Sequence, residues 1–200
     1  MTSVRLNRFH PWAWAVLLLF LSVSPAQAGI DPLKLVASAR AQVGVMVGYD
    51  GSYRRLAYPG GDVPLQTGVC TDVLVRAFRA QGVDLQKDVH EDMRRHFARY
   101  PKHWGLTRPD PNIDHRRVPN LMTFFTRKGY QGPISDQARA YQAGDIVAWN
   151  LGGGVTHIGI VSNRSSVDGV PLIIHNIGRG AKEENILFAF RIIGVYRVDG

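Results

Sequence analysis

The chain predicts an α+β fold, with N-terminal helices packed on a C-terminal antiparallel sheet. Three observations predict it. Apolar residues recur at helical spacing in four segments before residue 130, whereas after residue 144 they come in short β-branched runs. Glycine-rich turns, notably Gly152-Gly153-Gly154, separate those runs as hairpin connections do. Finally, the body of the chain shows no internal repeat and contains one cysteine, so a packed core rather than a disulfide framework must hold it.

Residues 1–28 read as a removable signal peptide. Arg5 and Arg8 precede an apolar run from Trp12 to Val23, and Ala26-Gln27-Ala28 supplies the small-x-small pattern of a cleavage site. The run falls short of the about 20 apolar residues a membrane span requires, so no stable span is expected after cleavage. A periplasmic or secreted location follows. Removing 28 of the 200 residues leaves 172, enough for the single domain expected over 29–200. Two of the 24 basic residues lie in the leader, so the mature chain carries 22 against 16 acidic ones, a net charge of +6. Such a chain is drawn to cell-wall polymers, lipid headgroups or released nucleic acid, and charge alone does not choose among them.

Asp31-Pro32 reads as N-cap and first helical position of a helix running through Gln42 to a stop at Gly44. Gly48 to Gly68, rich in Gly, Pro and Tyr, should be mostly loop. From Cys70 to Gln81 a second helix places Val73, Leu74, Ala77 and Phe78 on one face and ends at Gly82. Cys70 lies one turn before Val73 and Leu74 and therefore points inward. Asp88 to Tyr100 repeats Val89, Met93 and Phe97 every four residues, with Arg94, Arg95 and Arg99 on the remaining surface. Tyr100 to Pro119 holds four prolines and reads as an irregular excursion suited to a lid or a substrate wall. A last helix spans Pro119 to Lys128, with Leu121, Phe124 and Phe125 buried and Gly129 as terminator. The strands are expected at 145–149, 157–161, 172–175 and 192–198, with 188–191 able to prolong the last.

A lone thiol in an exported chain has no partner to bridge to, and Cys70 sits at a helix start, where thiolate is favoured over thiol. It is therefore the candidate nucleophile. Thiol catalysis also needs a base and a group that orients the base. His157 opens a strand beside the triglycine turn and is the candidate base. His175, on the next strand, is placed to hold the His157 ring through its second nitrogen. Taken singly, a lone cysteine is more often a buried small hydrophobe and a strand histidine is satisfied by backbone. Cys70, His157 and His175 could also be three zinc ligands with an open fourth position, although no HExxH or CxxC pair supports a metal site. The thiol mechanism needs no cofactor. Asp72 faces Arg76 at i+4 as a surface pair, or else binds a substrate amine one turn from the thiol. In Asp114-His115-Arg116-Arg117, an arginine fork could grip a carboxylate or phosphate, or the run is a solvated face. Gly152-Gly153-Gly154 lacks the lysine and following helix of a phosphate cradle, and nucleic acid is not an expected partner.

Tyr58-Pro59-Gly60-Gly61 followed by Cys70 twelve residues after the tyrosine resembles the Tyr-x-Gly-Gly…Cys opening of the NlpC-type cell-wall peptidases. Gly144-Asp145-Ile146-Val147 with Val155-Thr156-His157-Ile158-Gly159-Ile160-Val161 is similar to that superfamily's Gly-Asp-Leu-Val…Ser-His-Val-Gly-Ile element. Ile174-His175-Asn176 resembles its strand carrying the third polar residue. The text around Cys70, His90-Glu91-Asp92-Met93 and Asn112 to Leu121 closely resembles the YijF-type family of bacterial envelope proteins, a domain of unknown function. The resemblance implies a papain-like fold with Cys70 as nucleophile, His157 as base and His175 as orienting residue. It also implies that Tyr58 donates its hydroxyl toward the oxyanion beside the Cys70 backbone N–H. Asp72, His115, Arg116 and Asn176 are the candidates for substrate contact. Two features depart from the superfamily: Val69-Cys70-Thr71-Asp72 replaces Asp-Cys-Ser-Gly, and 87 positions separate Cys70 from His157. The function expected is an exported cysteine hydrolase cleaving an amide bond, with peptidoglycan the foremost envelope substrate. The alternatives are a non-catalytic binder of an anionic envelope polymer, a thiol acyltransferase and a zinc hydrolase.

Overall fold

The computed structural model describes residues 29–198, so the expected signal peptide lies outside the described residues. The architecture is α+β, as the residue patterns predict. Helix α1 (Pro32–Arg40) starts where Asp31 Oδ1 accepts the N–H groups of Leu33 and Lys34 at 2.9 and 3.1 Å. Helix α2 (Cys70–Arg79) keeps its expected start, and α4 (Val118–Arg127) carries Pro119 in its first turn. Helix α3 (Leu85–His96) begins three residues before the hydrophobic spacing suggests, because Asp84 Oδ1 caps it by accepting the Gln86 N–H at 3.0 Å. No helix among the described residues is long and apolar enough to cross a membrane.

Among the described residues five strands follow: β1 (Ile146–Asn150), β2 (Thr156–Ser165), β3 (Pro171–Asn176), β4 (Ala181–Glu184) and β5 (Arg191–Tyr196). They form one antiparallel sheet in the order β4-β3-β2-β1-β5. Strand β4 has no apolar alternation to announce it. Ala181-Lys182-Glu183-Glu184 becomes a strand because β3 would otherwise expose an unpaired edge, and an edge strand tolerates charge. Of the extension expected over 188–191 only Arg191 joins β5; residues 187–189 turn instead, and Leu187 in this turn is buried.

The period-two alternation of the strands sorts side chains between two cores. Ile146, Ala148, Ile158, Ile160 and Ile174 face the helices and meet Leu35, Val36, Val73, Leu74, Ala77, Val89, Leu121 and Phe125. Val147, Trp149, Val161, Ile173 and Val195 face the other way and are covered by Tyr141 and Leu187. Trp149 is fully buried there, its Nε1 donating to the Leu187 carbonyl at 2.9 Å. The excursion after α3 is irregular as expected, but its end is core: Asp114, His115 and Arg116 are all buried.

Candidate active site

Val69, the residue before α2, has no side-chain acceptor with which to cap the helix. Asp72, in the first turn, reaches back instead, and its Oδ2 accepts the Val69 N–H at 2.6 Å. The same carboxylate meets Arg116, with Nε 3.0 Å from Oδ1 and Nη2 3.0 Å from Oδ2, both side chains being buried. The expected Asp72–Arg76 pair therefore does not form. Arg76 turns to Asp62 at 3.0 Å and to the carbonyls of Val63, Pro64, Leu65 and Thr67. Arg116 also donates to the Asp50 and Ser52 carbonyls at 3.0 and 3.3 Å. Asp72 and Arg116 thus tie the start of α2 to the end of the excursion and to the loop carrying Tyr49. Neither is open to a substrate.

Cys70 is 4% exposed. Its sulfur finds backbone N–H groups, that of Ile158 foremost and those of Thr71 and Cys70 itself after it. The amide that acts most on the thiol thus belongs to the residue after His157 in β2. Burial pushes the thiol up to about 12, and the negative charge of Asp72 pushes the same way. The thiolate expected from the helix start is therefore not the resting form. Loss of hydration outweighs the three amides, and Cys70 rests as a thiol.

His157 lies in β2 with its ring stacked on Trp149, centroids 5.7 Å apart. Its Nε2 is 3.0 Å from His175 Nδ1, so the two imidazoles meet across neighbouring strands as their spacing predicts. Gly159 allows this approach. A Cβ at that position would lie 2.7 Å from Ile173 Cγ2 and 3.1 Å from His175 Cβ. Burial, and then His175, lower His157 to about 3, so its ring is neutral near neutral pH. His175 is lowered as well by burial, against the opposing pull of Glu184. Glu184, from β4, brings Oε2 to 3.2 Å from His175 Nε2. Sequence reasoning missed Glu184 because its strand carries no hydrophobic pattern.

Tyr58 stands apart from this group. It sets its ring edge-on to His90 with centroids 5.4 Å apart, and its hydroxyl is raised by burial first, with the charges of Glu91, Lys87 and Arg94 acting on it next. The oxyanion role expected for it is corrected by that placement, since the loop after Tyr58 carries it to α3. The tyrosine on which Cys70 and Asp72 act is Tyr49. It is raised to about 12 by burial, then by Cys70 and Asp72, with Arg116 opposing. Tyr49 has a flanking glycine on one side and Asp50-Gly51 on the other, but the twelve-residue spacing pointed to Tyr58.

The remaining substrate-contact candidates are internal. His115 is buried with Nδ1 unpartnered and is pushed down to about 3 by burial and then by Arg116 and Arg79. Asn176 donates through Nδ2 to the Gly48 and Gly68 carbonyls at 3.1 and 3.0 Å, fastening the loop that precedes α2. Both side chains are buried inside the protein. Cys70, His157 and His175 remain as the candidate catalytic set, and among the described residues no group of three or more His, Cys, Asp or Glu side chains is arranged to hold a metal ion.

The family model described as Domain of unknown function (DUF1287) matches residues 36–198. "Uncharacterized protein YijF" of Escherichia coli (strain K12) is 56% identical over 165 residues, covering 82% of this chain and 80% of that protein. Among solved structures, NlpC1 from Trichomonas vaginalis aligns at 13% identity and a TM-score of 0.43, over 86% of this chain and 47% of its own. An NLP/P60 family protein from Staphylococcus aureus subsp. aureus Mu50, described as similar to lipoprotein, aligns at 15% identity and a TM-score of 0.40, over 88% and 45%. The chain spans about half the length of the solved structures it matches.

Proposed function

The chain belongs to the family described as Domain of unknown function (DUF1287), and within it we propose that this protein is an exported cysteine hydrolase cleaving an amide bond, with peptidoglycan its foremost substrate. The observation that carries the reading is the pairing of His157 with His175 at 3.0 Å, backed by Glu184, on the strand whose Ile158 N–H acts on the Cys70 sulfur.

The chemistry follows from neutral resting groups. As Sγ attacks the amide carbonyl, His157 takes the thiol proton, and the carbonyl oxygen becomes an oxyanion. The Cys70 backbone N–H and the Tyr49 hydroxyl are the donors assigned to that oxyanion. Collapse expels the amine, which leaves with the proton returned by His157, and a thioester remains on Cys70. Water, deprotonated by His157, then attacks the thioester, releasing the carboxylic acid and restoring the thiol. A burial of this depth calls for an approach path. Thr156, which precedes His157, and Gly154 of the triglycine turn line a cleft of about 290 Å³ with His103, Trp104 and Pro119, which is the approach we assign.

The test is product analysis. Purified peptidoglycan is digested with the mature protein and with Cys70→Ala, and new amine and carboxyl ends are sought by mass spectrometry. New ends with the wild type and none with Cys70→Ala are expected. Equal products from both proteins would remove the thiol mechanism. Consumption of an acyl ester with no new ends in the wall would replace hydrolysis by acyl transfer.

A further inference from the structure

Arg94 and Arg108 converge on one cleft, and neither makes an ion pair among the described residues. The cleft, about 490 Å³, lies between α3, the Arg108–Asn112 stretch of the excursion and Tyr53. None of Cys70, His157 and His175 lines it. Nearby arginines are neutralised by specific acids: Arg54 by Asp50, Arg76 and Arg79 by Asp62, Arg116 by Asp72 and Arg127 by Asp92. A single unpaired guanidinium in solvent is ordinary. Two that share a concavity with a third basic group call for an anion.

That third group is His90, one helical turn before Arg94 and so on the same face of α3. Its Nδ1 is held 2.9 Å from Asp114 Oδ2, a fully buried carboxylate that also accepts the Asp110 N–H at 2.7 Å. The ring is thereby fixed by its far edge, and Nε2 is the edge left for the cleft. One acidic residue lines the cleft, Asp110, and its oxygens are already satisfied locally. They accept from the Tyr53 hydroxyl at 2.9 Å, the Asn112 N–H at 2.9 Å and Asn112 Nδ2 at 2.8 Å. Its charge is thus met by donors inside the protein, whereas those of the two arginines are not.

We propose that this cleft binds a phosphate group, with Arg94 and Arg108 as its guanidinium donors and His90 as the positioned third donor. Two forks and an imidazole arriving from two elements suit a tetrahedral group with several oxygens better than a planar carboxylate, which two donors would fill. The phosphate is either the free ion or an ester on a larger envelope molecule. The site is independent of the hydrolase reading, since it shares no residue with the thiol and its histidines.

The experiment is calorimetric titration of the mature protein at constant ionic strength with inorganic phosphate, with glycerol 3-phosphate and with acetate. Phosphate or its ester is expected to bind at least tenfold more tightly than acetate. Arg94→Ala and Arg108→Ala, both on the surface, should each weaken that binding several-fold, and the double variant at least tenfold with an unchanged thermal midpoint. Cys70→Ala should bind as the wild type does, which keeps this result separate from any failure of hydrolysis. Tighter binding of the ester than of the ion assigns the site to an esterified phosphate, and equal binding to the free ion. Acetate binding as tightly as both, no binding at all, or a folded double variant with unchanged affinity would overturn the proposal.

Discussion

Glu184 Oε2 lies 3.2 Å from His175 Nε2, and this contact determines which nitrogen of His157 keeps its lone pair for the base role proposed above. A carboxylate can only accept, so His175 donates from Nε2 and presents an unprotonated Nδ1. The His157 Nε2 3.0 Å away must then carry its proton toward that Nδ1. The remaining His157 Nδ1 is left with its lone pair, the form a general base requires. Removing the carboxylate releases this constraint. Glu184→Ala is expected to lower turnover on peptidoglycan about tenfold, below the ~10²–10⁴ that a general base contributes in full, because Glu184 is partly exposed and water can take its place. Glu184→Gln, which keeps an acceptor oxygen, should lose less. Wild-type turnover in Glu184→Ala would show that His175 takes its tautomer from another source.

The thiol should titrate late. With Cys70 pushed up to about 12, the rate of iodoacetamide labelling is expected to climb about tenfold per pH unit from pH 7 to 10 without levelling. Mass spectrometry of quenched samples follows it directly. A plateau near pH 7 would mean that the resting protein holds a thiolate.

Acid should unfold the protein earlier than its carboxylates alone would. His157 and His115 each titrate near 3 when folded and near 6.5 when unfolded. Within that window the unfolded chain binds protons that the folded one does not. The stabilisation is complete above pH 6.5 and is lost as the pH falls toward 3. From pH 7.5 to 5 the loss amounts to about 2 kcal/mol for each histidine. Urea unfolding at the two pH values measures it, and His115→Gln should recover the about 2 kcal/mol that this ring contributes. A stability that is flat over this interval would contradict the burial assigned to both rings.

Arg116 is expected to behave as a structural residue. Arg116→Ala leaves the Asp72 carboxylate buried without its partner, which should destabilise the fold by about 3–5 kcal/mol in urea unfolding. The double variant Asp72→Ala/Arg116→Ala should cost less than the two single losses together. A loss below about 1 kcal/mol for Arg116→Ala would mean that water reaches the pair.

Tyr49 and Tyr58 separate two placements of the oxyanion donor. Tyr49→Phe should reduce turnover on peptidoglycan by up to the ~10²–10³-fold that one such donor supplies, with little change in stability. Tyr58→Phe, whose ring packs on His90, should leave turnover unchanged. The reverse order would return the role to the tyrosine twelve residues before the nucleophile.

Local chemistry made much of this legible. Asp31-Pro32 marked the start of α1, the spacing of Val73, Leu74, Ala77 and Phe78 set the buried face of α2, and β-branched runs located four of the five strands. His157 and His175 could be paired from sequence because successive antiparallel strands bring such positions together. What escaped were features whose cause lies elsewhere in the chain. Leu85 could not be recognised as a helix start until Asp84 was seen to cap it. Glu184 gained its place from the free edge of β3, and a surface arginine and a buried one look alike until Asp72 is found against Arg116.

By itself, then, the sequence determined the α+β layout, the inward direction of Cys70 and the strand pair that carries the imidazoles, because periodicity and capping act over a few residues. Only the tertiary structure decided that the thiol rests protonated, that it acts on Tyr49 rather than Tyr58, and that Arg116 and Asn176 are buried inside the protein. Desolvation and pairing between distant segments set these outcomes, and both depend on which surfaces the completed fold withdraws from water.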